Sequence, residues 1–345
     1  MDAKRAGPGP RNLITDVPGL KVGQAEDAAV RTGVTVILPD DRAVAACDVR
    51  GGAPGTRETD ALAPENLVEA VDAIVLSGGS VYGLAAADGV VAWLGARGRG
   101  YGLVSGIPKS PVVPAAILFD VSNGGDKAWG EAPPYRDLGR AAVEAAGLGF
   151  ALGTAGCGYG AMAGGLKGGT GSASAVTADG YTVGAVVGVN SWGSVIAPGG
   201  RRFWATPFEL EGEFGGLDTH GLRAGPDEWG SAKRPAETRN TTIACVATDA
   251  ILTPAQAKRF AVMAQDGFAR AIRPVHAPFD GDVVFALATG RKALADPADY
   301  TLARLGALAA DALARAVARG VFEATPWRDA YVPCWRDLPG EGATG

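Results

Sequence analysis

Glycine constrains this chain more than any other residue. There are 52 glycines among 345 residues, about twice the usual share of roughly 7%, and they are interleaved with Val, Ile and Ala. A residue without a Cβ serves where the chain turns tightly or where one backbone approaches another. The pattern therefore implies a compact, turn-rich fold and argues against disorder. With 47% hydrophobic and 20% charged residues, the chain can bury a sizeable core in one large domain or two smaller ones.

A net charge of -5 and a pI near 5.2, without a cluster of Lys and Arg, give no electrostatic footprint for nucleic acid. The N-terminal MDAKRAGPGPRN is basic but has no apolar segment behind it, and no run of about 18 apolar residues occurs. A cytoplasmic protein without a membrane partner is expected. Cys47, Cys157, Cys245 and Cys334 are far apart, and the histidines are His220 and His276 alone, so no metal, cofactor or disulfide framework is expected.

Strand-like runs lie at residues 33 to 38, 44 to 49, 73 to 76, 115 to 121, 172 to 177, 181 to 189, 242 to 248 and 282 to 289. Ser80 reads as the N-cap of a helix to Gly95, and 135 to 146 has helical spacing. Thr253-Pro254-Ala255-Gln256 is a capping box opening a helix through Ile272. A last helix spans 302 to 319, stopped by Gly320. Residues 198 to 239 are loop-like. The uneven, Gly-punctuated crossovers favour a layered α/β protein with stacked sheets between helices over a doubly wound sheet.

The usual catalytic signatures are absent: there is no HExxH and no GxSxG. GTAGCGYGAMAGGLKGG lacks phosphate-loop spacing because Gly168 follows Lys167; it reads as a glycine-rich hairpin that lets Lys167 approach a cleft. Asp280-Gly281-Asp282, taken alone, is a turn with solvated acids, too poor in oxygen ligands for a metal. In ETRNTTIACVATDA (237 to 250) a polar stretch runs into a strand. If the Asn240-Thr241 bond is cut, Thr241 gains an α-amine with a reference pKa of about 7.7–8.0, a base on the same residue as the hydroxyl. Such chemistry needs no histidine. Without company, N-T-T is a turn entering a strand.

The company is present. RNTTIACVATDA, RAIRPVHAPFDGDVVFALAT, GGLKGG, VVGVNSWG and TDVPGLKVG occur in order from about Asn12 to Trp335. Together they resemble the P1 family of peptidases: L-aminopeptidase/D-esterase-type enzymes, β-peptidyl aminopeptidases and 6-aminohexanoate-oligomer (nylon-oligomer) hydrolases. The resemblance implies a single domain over 1 to 345, a four-layer αββα sandwich similar to N-terminal-nucleophile hydrolases but with its own connectivity. It implies autocleavage between Asn240 and Thr241 into an α chain, 1 to 240, and a β chain, 241 to 345. By the same resemblance Thr241 is the nucleophile, Asn190 donates to the oxyanion, Lys167 is a cation near the amine, and Asp280 and Asp282 are an acidic pair holding the amine and hydroxyl. Phe119 stands in the substrate site where several relatives have a tyrosine near the oxyanion. The implied substrate is a small peptide or amide, and the implied assembly a homo-oligomer, tetramer or octamer. Acyl transfer of the ornithine acetyltransferase-like type and an unprocessed small-ligand-binding protein are the alternatives.

Overall fold

The computed structural model describes residues 6–102, 104–233 and 240–339. In chain order, the first strands are β1 (Leu20–Asp27), β2 (Thr32–Pro39), β3 (Ala43–Val49), β4 (Thr56–Arg57), β5 (Ala70–Val71), β6 (Ile74–Ser77) and β7 (Ala115–Ile117). They are followed by β8 (Met162–Ala163), β9 (Leu166–Lys167), β10 (Gly169–Val176), β11 (Thr182–Asn190), β12 (Thr241–Ala250) and β13 (Val283–Lys292). The helices are α1 (Ala86–Gly95), α2 (Tyr135–Glu144), α3 (Pro254–Ala264), α4 (Asp266–Ala271) and α5 (Ala298–Phe322). One sheet has the order β1-β2-β6-β7-β4, a second β10-β11-β12-β13-β3-β5, and β8 with β9 forms a hairpin.

Three apolar clusters hold these elements together. Val34, Val36 and Val75 of the first sheet pack with Val90 of α1 and Val143 of α2. Ile37 and Leu76 face the other way, onto Val186, Ile243, Cys245 and Phe285 of the second sheet. Ala244, Val246 and Val284 then pack on Phe260, Leu313 and Val317 of α3 and α5. Alternate residues of β12 thus enter different clusters, as the two-residue period of a strand requires. All of β12 is buried, which is why it reads as a nearly continuous apolar run.

Glycine works here chiefly by close approach. A Cβ on Gly171 of β10 would lie 1.8 Å from the carbonyl oxygen of Ala316, so α5 rests directly on the strand. Gly320 lies inside α5, not beyond its end. A Cβ there would meet the Gly171 nitrogen at 2.9 Å, and this contact, not helix termination, explains the residue.

Other expectations also need correction. Ser80 is no N-cap: with φ +54 it follows Gly79 (φ +88) into a 3-10 turn, Ser80–Ala85, ahead of α1. The Gly79 N–H is held by the buried carboxylate of Asp120 at 2.7 Å, and this fixes the turn. The run at 115 to 121 stays extended as a strand only through Ile117. The capping box is present, with Gln256 N–H donating to Thr253 Oγ1 at 3.2 Å, but the helix divides at Gln265, whose side chain donates to the Asp48 carbonyl at 2.8 Å. Strand β1, within TDVPGLKVG and beyond, was not anticipated. Residues 198–233 are more packed than a free loop: Phe203 and Phe214 are buried, and Glu213 accepts from Arg315 Nη2 at 3.0 Å. Residues 234 to 239 lie outside the described residues. Among the described residues no helix is long and apolar enough to cross a membrane.

The close contact of α5 on β10 makes a graded prediction. Gly171→Ala destabilises the protein by about 1–3 kcal/mol or more, since two backbones must separate. Gly149→Ala, where a Cβ meets nothing within 4 Å, leaves stability unchanged or slightly raised. Urea denaturation of the two variants checks the difference.

Candidate active site

Thr241 opens β12, and its partner across the antiparallel ladder is Asn190, the last residue of β11. On the other side β12 runs parallel to β13, so the segment leading into β13 lies beside the start of β12. Asn240 bridges to Asp280, and the Gly281 N–H donates to the Asn240 carbonyl at 3.1 Å. Thr241 Oγ1 donates to that same carbonyl at 2.5 Å. Gly281 is required by proximity: a Cβ there would lie 2.7 Å from Thr241 Oγ1.

The two carboxylates flanking Gly281 are buried, each 2% exposed, so the reading of DGD as a turn with solvated acids does not hold. Asp282 Oδ1 accepts the Thr242 N–H at 2.8 Å. Its Oδ2 accepts the His276 N–H at 3.1 Å and pairs with His276 Nδ1 at 2.9 Å. Asp280 Oδ2 accepts the Ala277 N–H at 3.1 Å, while its buried Oδ1 has no partner among the described residues. Burial, reinforced by the Asp282 charge, pushes the Asp280 carboxyl up to about 7, against the opposing pull of the Ala277 N–H and the Lys233 ammonium. Lys233 Nζ also donates to Asn240 Oδ1.

Asn190 is wholly buried and held at both ends of its amide. Its Oδ1 accepts the Met162 N–H at 2.9 Å and its Nδ2 donates to the Phe119 carbonyl at 2.9 Å. Met162 pairs with Lys167 across the β8–β9 hairpin. Lys167 is therefore close in the scaffold, but its ammonium is engaged by the carbonyls of Gly158, Ala161 and Gly168 at 3.2, 3.1 and 2.7 Å, with the Trp327 ring 5.2 Å away. Burial pushes it down to about 7. The structure thus gathers Asn190, Asn240, Thr241, Asp280 and Asp282 at one sheet end, while Lys167 reaches them through the backbone of its hairpin.

Phe119 lines a cleft of about 510 Å³ with Tyr82, Trp129 and Lys127. Beyond Asn190 in sequence, Trp192 packs edge-on against Phe279 and Trp229, at 5.1 and 5.4 Å between ring centres. Sequence reasoning missed His276, Trp192 and Lys233. His276 and Trp192 lie inside the motifs quoted above, six residues before Asp282 and two after Asn190, and Lys233 lies seven before Asn240. Asp120 was also missed; it is buried, accepts from Thr32 Oγ1 at 2.7 Å, and burial raises its pKa. Among the described residues no group of three or more His, Cys, Asp and Glu side chains could hold a metal ion.

The raised Asp280 pKa has a defined consequence for stability. The protonated carboxyl favours the folded chain, so its contribution is fully present below about pH 4 and is lost as pH rises through about 7. In an intact Thr241→Ala chain, Asp280→Asn removes this slope, a difference on the order of a few kcal/mol between the ends of the window. Thermal denaturation at pH 4, 5.5 and 8 reads it.

Comparison with known proteins adds to this geometry. The family model for peptidase family S58 matches residues 12–330. An uncharacterized aminopeptidase of Mycobacterium tuberculosis is 46% identical over 352 residues, covering 95% of this chain and 98% of the relative. A 6-aminohexanoate-oligomer endohydrolase of Kocuria sp. is 31% identical over 294 residues, covering 81% of this chain and 76% of the relative. Among solved structures, a beta-aminopeptidase of Burkholderia sp. superposes with TM-score 0.69 at 25% identity, covering 97% of this chain and 93% of that one. The L-aminopeptidase D-Ala-esterase/amidase of Ochrobactrum anthropi, a variant of the Ntn hydrolase fold, superposes with TM-score 0.69 at 23% identity, covering 96% and 91%.

Proposed function

Because the chain belongs to peptidase family S58, we propose that it is a self-processing amide hydrolase whose nucleophile is the threonine at the head of β12. In the intact chain the Thr241 hydroxyl attacks the Asn240 carbonyl carbon, the acyl group moves from nitrogen to oxygen, and water opens the resulting ester. The products are an α chain ending at Asn240 and a β chain beginning with the free α-amine of Thr241. One observation carries this reading: Thr241 Oγ1 lies 2.5 Å from the Asn240 carbonyl oxygen, in a site built by Asn190 and two buried carboxylates.

In turnover the Thr241 amine takes the hydroxyl proton as Oγ attacks the substrate carbonyl; the amide C–N bond breaks as that proton passes to the departing amine, and water then hydrolyses the acyl-enzyme. Asp280 and Asp282 hold the amine and hydroxyl in place. Asp280 Oδ1, an acceptor without a partner among the described residues, suits the amine that cleavage creates. Of the two Nδ2 hydrogens of Asn190, one goes to Phe119 and the second is the donor for the oxyanion. Phe119 has no hydroxyl to share that task. Lys167 braces the hairpin that orients Asn190, and its residual positive charge favours the neutral, basic form of the amine.

The substrates of this reading are small peptides cut at the N-terminal residue or ω-amino-acid amides, with the Asp280 and Asp282 pair leaning toward the latter. The three apolar clusters are read as the seams of a four-layer αββα sandwich, one domain per chain. The processed chains are proposed to work as a homo-oligomer in the cytoplasm.

Intact-mass analysis and N-terminal sequencing of the purified full-length protein test the proposal. Two fragments are expected, the second beginning TTIACVATDA, and Thr241→Ala stays a single chain. Asn190→Ala lowers kcat by about 10²–10³. A wild-type preparation that stays full length after long incubation overturns self-processing, and a fragment beginning at Thr242 moves the nucleophile by one residue.

A further inference from the structure

We propose that His276 is a positioning residue of this site: its ring and its backbone N–H fix the Asp282 carboxylate, which fixes the start of β12 and with it Thr241. The inference deepens the reading of Thr241 as nucleophile and rests on it.

Two donors of one residue converge on one oxygen. The His276 N–H and Nδ1 lie 3.1 and 2.9 Å from Asp282 Oδ2. With Oδ2 occupied, the carboxylate is held against rotation and Oδ1 stays on the Thr242 N–H at 2.8 Å. The regular ladder between β12 and β13 starts at Ile243 and Val283, and an isolated bridge pairs Asn240 with Asp280, so this side-chain bond fixes Thr242 in the gap between the two backbone pairings, next to the nucleophile. A carboxylate oxygen accepts, so the hydrogen of this contact is assigned to His276 Nδ1.

The backbone at His276 points the same way. Its φ is +57, a left-handed conformation that costs a residue with a Cβ about 1–2 kcal/mol and in which Asn, Asp and His are the commoner non-glycine residues. Glycine would adopt it freely, yet the position carries an imidazole. The buried Phe268 ring packs edge-on to that imidazole, 6.2 Å between centres, and steadies it. The same turn supplies the Ala277 N–H to Asp280 at 3.1 Å, so one short segment orients both acids.

Full-length His276→Gly and His276→Asn separate the ring from the turn. Glycine keeps the left-handed backbone and its N–H but removes the second donor; asparagine tolerates the conformation and restores a side-chain N–H. The readouts are the rate of chain cleavage by intact mass, kcat and KM for an L-aminoacyl 4-nitroanilide that the wild type hydrolyses, and the melting temperature. His276→Gly is expected to slow cleavage and lower kcat by about 10-fold or more, with KM within about threefold and folding retained, whereas His276→Asn recovers most of the lost rate. Wild-type rates in His276→Gly overturn the proposal. So does a His276→Asn that folds but is as slow as His276→Gly, because the second donor is then irrelevant. Failure of the underlying reading has a separate signature: Thr241→Ala cleaves or hydrolyses like the wild type, and the proposal falls with it.

Discussion

The direction of three neighbouring strands decides where the candidate site lies in this molecule. β12 is antiparallel to β11 and parallel to β13. The end of β11, the beginning of β12 and the segment entering β13 are therefore brought to the same edge of the sheet, although they come from residues about 190, 240 and 280. Ladder register then does what no single motif can, setting Asn190 opposite Thr241 and Asp280 beside Asn240. The site needs no long loops to converge. It is formed by backbone pairing, the most rigid device a fold of this class has.

Burial turns that geometry into unusual electrostatics. Two carboxylates separated by one glycine would both be ionised in water. Here both are almost inaccessible, and they divide. Asp282 is satisfied by the N–H groups of Thr242 and His276, whereas Asp280 has one N–H and one oxygen without a partner among the described residues. The raised pKa of Asp280 follows from its burial and then from its neighbour's charge. A buried acceptor without a donor is costly in a finished core, which makes this end of the sheet distinct from the uniformly apolar clusters around it.

Much of this was legible in the chain. Strand β12 announced itself by its apolar run, the helix after it by a complete capping box, and the nucleophile candidate by its junction position. Other features depended on contacts between residues distant in sequence. Gly320 resembles a helix stop unless Gly171 is known to lie beneath it. Ser80 resembles an N-cap unless Asp120 is known to hold the preceding turn. His276 looks structural until Asp282 is seen against it. Lys167 was correctly set on a glycine-rich hairpin, but only the fold shows that three carbonyls use its ammonium. In each case the local pattern was real and a tertiary contact determined its meaning.

The central claim is that Thr241 Oγ forms the covalent intermediate. Its most direct measurement is acid quenching of the protein during turnover of an activated aminoacyl ester, followed by tandem mass spectrometry of the digest. The account predicts an added acyl mass on Thr241, at the N-terminus of the smaller fragment. An acyl group on any other side chain, or turnover without one on Thr241 at any quench time in a substrate with slow deacylation, would contradict it.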